Sequence, residues 1–392
     1  MMGIWKTRRH LWPWAILATW ALLPTSLPAE ELFLKAGRVY TLDGPPLSPG
    51  VVHVKDGKIV AVGTDLPIPA GSRFRDLGSG VLLPGFIDAA SSAGLEGGRA
   101  ESTVEVSPRL RALDAVDPAS SALRRLCHEG VTTVHILPGT DNVISGLSCI
   151  LKTLTDRRRQ PLRADFGLAI TTSSDPVEGN SSRNRPDSIY NRQPTNRMGV
   201  VWLLRSEFGL ATRTSTPDRA VLREVLAGTR PVFCTSRLDT DLLAALRLRE
   251  EYPMRLVLVG GQEAYRVREQ IAAARVPLLL ARVSSQAGIG PESTETILNL
   301  PGVLHAAGIP ICLTGGDLLE QARWAVRFGL PRDAALEAVT VQPARVLQLE
   351  DRVGRIKPGL DADLVALSGD PFDCSTRILW TMIDGVIRAE EP

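Results

Sequence analysis

Short apolar runs separated by turns occupy both ends of this chain, while its middle alternates apolar runs with stretches of helical periodicity. Between residues 31 and 79, Leu32-Phe33-Leu34, Val39-Tyr40-Thr41 and Gly50-Val51-Val52-His53-Val54 read as strands. Asp56-Gly57 reads as a hairpin turn into Lys58-Ile59-Val60-Ala61-Val62. Residues 354–388 repeat the pattern with a run at 363–367, a Gly369-Asp370-Pro371 turn, and a run from Ile378 to Ile387 broken by Asp384-Gly385. Neither end is large enough to bury a sheet face alone. Residues 30–80 and 350–392 are therefore expected to combine into one small β-sandwich.

Strand-like runs in the middle lie at 81–89, 132–137, 148–151, 166–172, 231–236, 256–259, 276–283 and 310–314. Helical patterns lie at 118–129, 239–251, 264–275 and 318–328, and residues 331–347, opened by Pro331, read as the last helix. Alternation of buried strands with helices predicts a parallel sheet. About eight such units suit a (β/α)8 TIM-like barrel. The expected class is thus α/β, with a barrel over 81–349 and a surface loop at 173–197, rich in Ser, Asn, Arg and Pro.

The first 29 residues read as an export signal. Lys6, Arg8 and Arg9 precede an apolar run from Leu11 to Leu23, too short to span a bilayer as a helix, and a small residue, Ala29, follows. A periplasmic or extracellular location is expected, with no membrane span after cleavage. The hydrophobic fraction of 44% and charged fraction of 22% suit a chain that buries a core. Net charge is +2, and the leader holds three of the basic residues, so the remainder is near neutral. Recognition of nucleic acid by charge is excluded on that balance. Five cysteines without C-x-x-C spacing make neither a zinc ribbon nor a disulfide framework, and Cys149, Cys234 and Cys312 read as small buried hydrophobes.

Several motifs in fixed order resemble the amidohydrolase superfamily, closest to its imidazolonepropionase-like branch. They are the 51–63 hairpin, Leu83-Pro84-Gly85-Phe86-Ile87-Asp88, Gly130-Val131-Thr132-Thr133-Val134, Thr340-Val341-Gln342-Pro343-Ala344, and Gly354 through Val365 with Asp384-Gly385. The segments 112–118, 138–146 and 197–205 resemble that branch as well. The resemblance implies zinc or a similar divalent metal at the C-terminal ends of the barrel strands. Imidazole and carboxylate ligands would hold the ion, and its bound hydroxide would attack a non-peptide C–N bond.

Each implied ligand position can be inspected. The H-x-H after the first strand falls on Ala90 and Ser92. A later histidine pair falls on Cys234 and Ser236, a further histidine on Gly260, and the last-strand Asp on Gly316. Alanine and glycine offer no donor atom, and serine is a poor zinc ligand at neutral pH. The histidines His53, His128, His135 and His305 fall at none of these positions, and His135 is the one that a strand could aim into the barrel. No cofactor is therefore expected.

The remaining chemical candidates are Asp317, Asp88, Lys152 and His135 for catalysis and Arg237, Asn142 and Thr314 for substrate binding. Asp317 also reads as the cap of the helix at 318–328, Lys152 as an ordinary lysine or a pocket cation, and Arg157-Arg158-Arg159 as a solvated loop. The leading expectation is an exported amidohydrolase-like protein that has lost its metal centre. Its role would be to bind a small organic ligand or to partner an active paralogue or a second copy. The alternative is a hydrolase with a site rebuilt from Asp88, Lys152, Cys234, His135 and Asp317, which requires those side chains to converge.

Overall fold

A computed structural model describes residues 31–95, 98, 100–101, 104–153, 160–178, 193–282 and 297–390. The expected leader, the triple arginine at 157–159 and most of the 173–197 loop lie outside the described residues.

The two ends of the chain meet in two sheets. A four-stranded sheet runs in the order Lys58–Gly63, Gly50–Lys55, Glu31–Ala36, Arg73–Asp76. A five-stranded sheet runs in the order Val386–Glu390, Ile378–Ile383, Leu364–Leu367, Val81–Pro84, Arg38–Val39. Leu34, Val52, Val54 and Ile59 of the first share one buried apolar cluster with Leu82, Leu364, Ala366, Trp380 and Met382 of the second. Strand alternation supplies this face, since every second side chain of a strand points the same way.

The single strand expected over 81–89 is two strands. Val81–Pro84 pairs antiparallel with Leu364–Leu367, and the next strand, β1 (Phe86–Ser91), belongs to the central sheets. Gly85 separates them and donates its N–H to the carbonyl of Asp363 at 2.8 Å. A Cβ there would stand 2.3 Å from Thr132 Oγ1, so only glycine allows the crossing.

The central strands continue as β2 (Val131–Ile136), β3 (Ile144–Leu147), β4 (Cys149–Lys152), β5 (Leu168–Thr171), β6 (Val232–Ser236), β7 (Leu256–Gly260), β8 (Leu278–Leu280) and β9 (Ile311–Leu313). They form the orders β4-β2-β1 and β9-β8-β7-β6-β5-β3. β1 and β2 are parallel, and so are β5 through β9. The fully parallel expectation fails at the third position. There β3 runs antiparallel to β5 and β4 antiparallel to β2. Ser148 breaks this segment, exchanging backbone bonds with Phe166 and Gly167 at 2.8 Å, so the segment joins one sheet to the other. Among the described residues no ladder pairs β1 with β9.

Four helices frame the site: α1 (Ser121–His128), α2 (Arg197–Ala211), α3 (Asp239–Glu251) and α4 (Leu318–Arg327). Ser120 Oγ caps α1 through Leu123 N–H, and Asn196 caps α2 through Gly199 N–H. The long last helix expected over 331–347 is two helices, Arg332–Glu337 and Val341–Val346. Pro343 has no N–H to continue the ladder to residue 339.

Two apolar faces divide the central strands. Ile87, Ala89, Ile150, Phe233, Val257, Leu279 and Cys312 share one cluster. Their alternates Phe86, Val134, Ile170, Cys234, Leu258 and Leu313 share another, with the helical residues Leu123, Leu204 and Leu242. Strands of this kind read as continuous apolar runs because both faces are covered. Among the described residues no helix is long and apolar enough to cross a membrane.

Candidate functional site

The C-terminal ends of β1 and β9 meet at a carboxylate. Asp88 is fully buried, and its Oδ1 accepts the N–H of Gly315 at 3.1 Å and of Ala90 at 3.3 Å. Its Oδ2 accepts the N–H of Gly316 at 3.2 Å. Burial pushes its pKa up to about 6, against the pull of these three donors, and Glu129 nearby adds to the rise. Glu129, at the end of α1, accepts the N–H of Asp317 at 3.0 Å, and burial raises its carboxyl above the ordinary range. A cavity of about 590 Å³ adjoins these groups, lined also by Ser91, Ser92, Arg125 and Arg282.

Asp317 stands at the start of α4 without capping it. Its backbone is left-handed (φ 44°), its side chain makes no capping bond, and Oδ2 lies 3.1 Å from Arg282 Nη1. That geometry overturns the capping role. A side-chain cap needs an extended backbone at that residue.

His135, on β2, is buried among aromatic rings. Phe233 lies 4.4 Å away between centroids and Phe166 5.6 Å away, edge-on. Its Nδ1 donates to the Ala89 carbonyl at 2.7 Å, because a carbonyl can only accept. The ring is therefore the tautomer with a bare Nε2, and Nε2 has no partner among the described residues. Burial pushes its pKa down to about 4, against that carbonyl. The other three histidines among the described residues lie elsewhere. His53 Nε2 is 2.7 Å from Glu31 in the four-stranded sheet, while His128 and His305 are exposed on helices.

The placement of Cys234 and Ser236 at the barrel mouth is corrected. Cys234 lies in the helix-side cluster. Ser236 Oγ lies 2.7 Å from Thr172 Oγ1, which donates to the Asp241 carbonyl of α3 at 3.0 Å. Phe233 is on the opposite face, so alternation puts Thr235 beside it. Thr235 is the residue that sequence reasoning missed, and counting by twos from Phe233 would have found it. Beyond the strand, Arg237 pairs with Asp175 (Nη2 to Oδ2, 2.7 Å), and Thr140 also donates to Asp175. Thr314 Oγ1 is spent on the Leu280 carbonyl at 2.8 Å, and Asn142 is buried with its own carbonyl taken by Ser145 at 3.3 Å.

Lys152 is far from a mouth role. It sits level with Thr133 near the start of β2. Its ammonium meets Asp363, Asp361 (3.2 Å) and Asp384 (3.6 Å) from the C-terminal segment. Against the cost of burial, Asp363, Asp384 and Asp361 hold its pKa above the usual lysine value. Arg352 at 2.9 Å and Lys58 at 2.6 Å complete the charges around Asp361. Lys152 thus ties β4 to the terminal segments, and it is not a pocket cation. Asp88, Lys152, Cys234, His135 and Asp317 keep separate partners and do not form one shared set.

The remaining ligand positions offer at most the hydroxyl of Ser92. Gly260 (φ 103°) and Gly316 (φ 76°) have left-handed backbones, which strain any L side chain placed there. Ala90 packs against the Ile87–Phe233 cluster. Among the described residues no three His, Cys, Asp or Glu side chains gather as a metal would require. The donors present do not fit a zinc ion, which needs at least three nitrogen, sulfur or oxygen ligands near 2 Å.

The amidohydrolase family model matches residues 256–388. The chain is 26% identical over 396 positions to an amidohydrolase of Hapsidospora irregularis, covering 88% of this chain and 40% of that protein. It is 23% identical to adenine deaminase 1 of Latilactobacillus sakei, covering 86% of this chain and 54% of that one. The chain therefore spans about half, or less, of the length of these curated relatives. A crystal structure of an amidohydrolase from Thermotoga maritima superposes with a TM-score of 0.84 at 28% identity, covering 92% of this chain and all of that one. The likeness identifies the architecture as a TIM-barrel-like α/β fold.

Proposed function

This chain belongs to the amidohydrolase superfamily, and on that premise we propose that it has kept the fold and lost the metal centre. Its terminal sheets form a composite β-sandwich around the barrel. Its role is to bind a small organic molecule or to pair with an active paralogue, in the periplasm or outside the cell. The relation to the imidazolonepropionase-like branch belongs to the same proposal.

The observation that carries this reading is the state of the strand ends. Ala90 and Ser92 stand where the first two imidazoles belong, and Thr235, which offers at most a hydroxyl, faces inward on β6. At Gly260 and Gly316 the backbone itself has taken a conformation that disfavours any side chain. Activity resides in such a site and not in the fold around it. No metal-bound step is assigned to this chain.

Elemental analysis of the purified protein, with hydrolysis assays on cyclic amides and N-acyl amino acids, tests the proposal. The expected result is less than one tenth of an equivalent of zinc and no turnover above buffer. One equivalent of zinc together with C–N bond hydrolysis overturns it. A thermal-shift screen with small organic compounds then looks for the bound molecule, because a ligand stabilises by mass action.

A further inference from the structure

Two opposite faces of α2 carry the same spacing. Val200, Leu204, Phe208 and Ala211 are the buried set and belong to the helix-side cluster. Met198, Trp202, Ser206 and Gly209 repeat that four-four-three spacing two residues earlier. Two residues are about 200° around a helix of 3.6 residues per turn, so the second set points away from the first. Met198 is 78% exposed and Trp202 60%, the two most exposed large apolar side chains among the described residues. A helix that is apolar on opposite faces is one that is buried on both. Gly209 lies inside the helix, where glycine is a poor helix former. A Cβ there would meet only Tyr252 Oη, at 3.8 Å, so packing within the chain does not require glycine. Beside the stripe, Arg205 holds Glu251 by two bonds of 2.7 and 2.6 Å, so two copies of this face bring no net like charge together.

We propose that this stripe seats a second copy of the same chain, α2 against α2, antiparallel about a two-fold axis. Under that symmetry large residues fall on small ones. An axis at the level of Leu203 and Leu204 brings Met198 over the second copy's Gly209 and Trp202 over its Ser206, and the reverse pairs follow. Parallel helices would instead set Met198 against Met198 and leave the two glycines facing each other. The antiparallel contact is self-complementary, closes on itself and ends at two copies.

The area sets the strength. Met198 and Trp202 together expose on the order of 300 Å² per copy, against about 800 Å² per partner in a standard interface. The pair is therefore reversible and assembles with concentration. Tryptophan and methionine are residues that interfaces favour at their centres, and Trp202 lies next to the axis. The dimer depends neither on the state of the metal centre nor on a bound molecule.

Sedimentation velocity of the purified chain at about 5 µM and about 500 µM tests this. The expected result is mostly monomer at the lower concentration and mostly dimer at the higher. Trp202→Glu and, separately, Gly209→Gln are each expected to raise the dissociation constant at least about tenfold. Gly209→Gln is also expected to melt no earlier than wild type, because glutamine is the better helix former and has room there. In a background in which the exposed Cys374 is replaced by serine, Met198→Cys with Gly209→Cys is expected to give a disulfide-linked dimer under mild oxidation. Met198→Cys alone is not, because its two thiols would stand too far apart. Wild type that stays monomeric at both concentrations overturns the proposal, and residues 179–192 or an unrelated protein as the occupant would give that result. A dimer that survives Trp202→Glu or Gly209→Gln, or that cross-links through Met198→Cys alone, overturns it as well.

Discussion

His135 Nδ1 lies 2.7 Å from the carbonyl oxygen of Ala89, and this bond joins β2 to β1 beside the Asp88 carboxylate. The two buried titrating groups oppose each other. The His135 pKa falls from 6.5 to about 4 on folding, so its contribution is present above 6.5 and lost as pH falls towards 4. The Asp88 pKa rises from 3.8 to about 6, so its folded form is favoured below 3.8 and penalised as pH rises through 6. Each effect is on the order of 3 kcal/mol. Urea denaturation between pH 4 and 7 is therefore expected to show little net slope for these two sites. Asp88→Asn is expected to expose a loss of stability in acid, and His135→Phe a gain in acid. Parallel slopes in the two variants would refute the assignment.

Removing the Lys152 charge should be severe. Lys152→Met strands Asp363, which is fully buried, beside Asp361 and Asp384. Breaking one side of a buried ion pair costs about 3–5 kcal/mol. The double variant Lys152→Met with Asp363→Asn is expected to recover part of that loss, read as a double-mutant cycle in chemical denaturation.

The facing of β6 can be tested by two neighbouring substitutions. Cys234→His forces an imidazole into the helix-side cluster beside Leu204 and Leu242 and is expected to cost about 1–3 kcal/mol. Thr235→His, on the half-buried opposite side, is expected to cost less. A reversed order in thermal melts would mean that the faces are exchanged.

Gly85→Ala should disturb the crossing between the terminal sheet and β1. The new methyl would meet Thr132 Oγ1 at 2.3 Å and Thr132 Cγ2 at 2.4 Å. A loss of about 1–3 kcal/mol is expected, partly recovered by Thr132→Ala, which removes both atoms. Unchanged melting of Gly85→Ala would show that the two strands can separate further.

Much of the strand and helix content was legible because it depends on local periodicity. The helix over Asp239–Glu251 falls where the leucine spacing puts it. What failed were features set by distant partners. The run at 81–89 is apolar but for Gly85 and Asp88, and its pairing with Leu364–Leu367 on one side and β2 on the other divides it. The third strand position is antiparallel because Ser148 turns towards Gly167, a contact that no periodicity marks.

The sequence by itself determined the composition of the site. Ala90, Gly260 and Gly316 offer no metal donor in any fold, because their side chains hold no donor atom, and Ser92 offers only a hydroxyl. Only the tertiary structure decided what the remaining polar residues do. It put Lys152 with three aspartates of the C-terminal segment, turned Cys234 towards the helices, and set Asp88 on the N–H groups of Gly315 and Gly316. Those roles depend on which groups folding brings within hydrogen-bond reach, and the partners of Lys152 and Asp88 lie more than two hundred residues away along the chain.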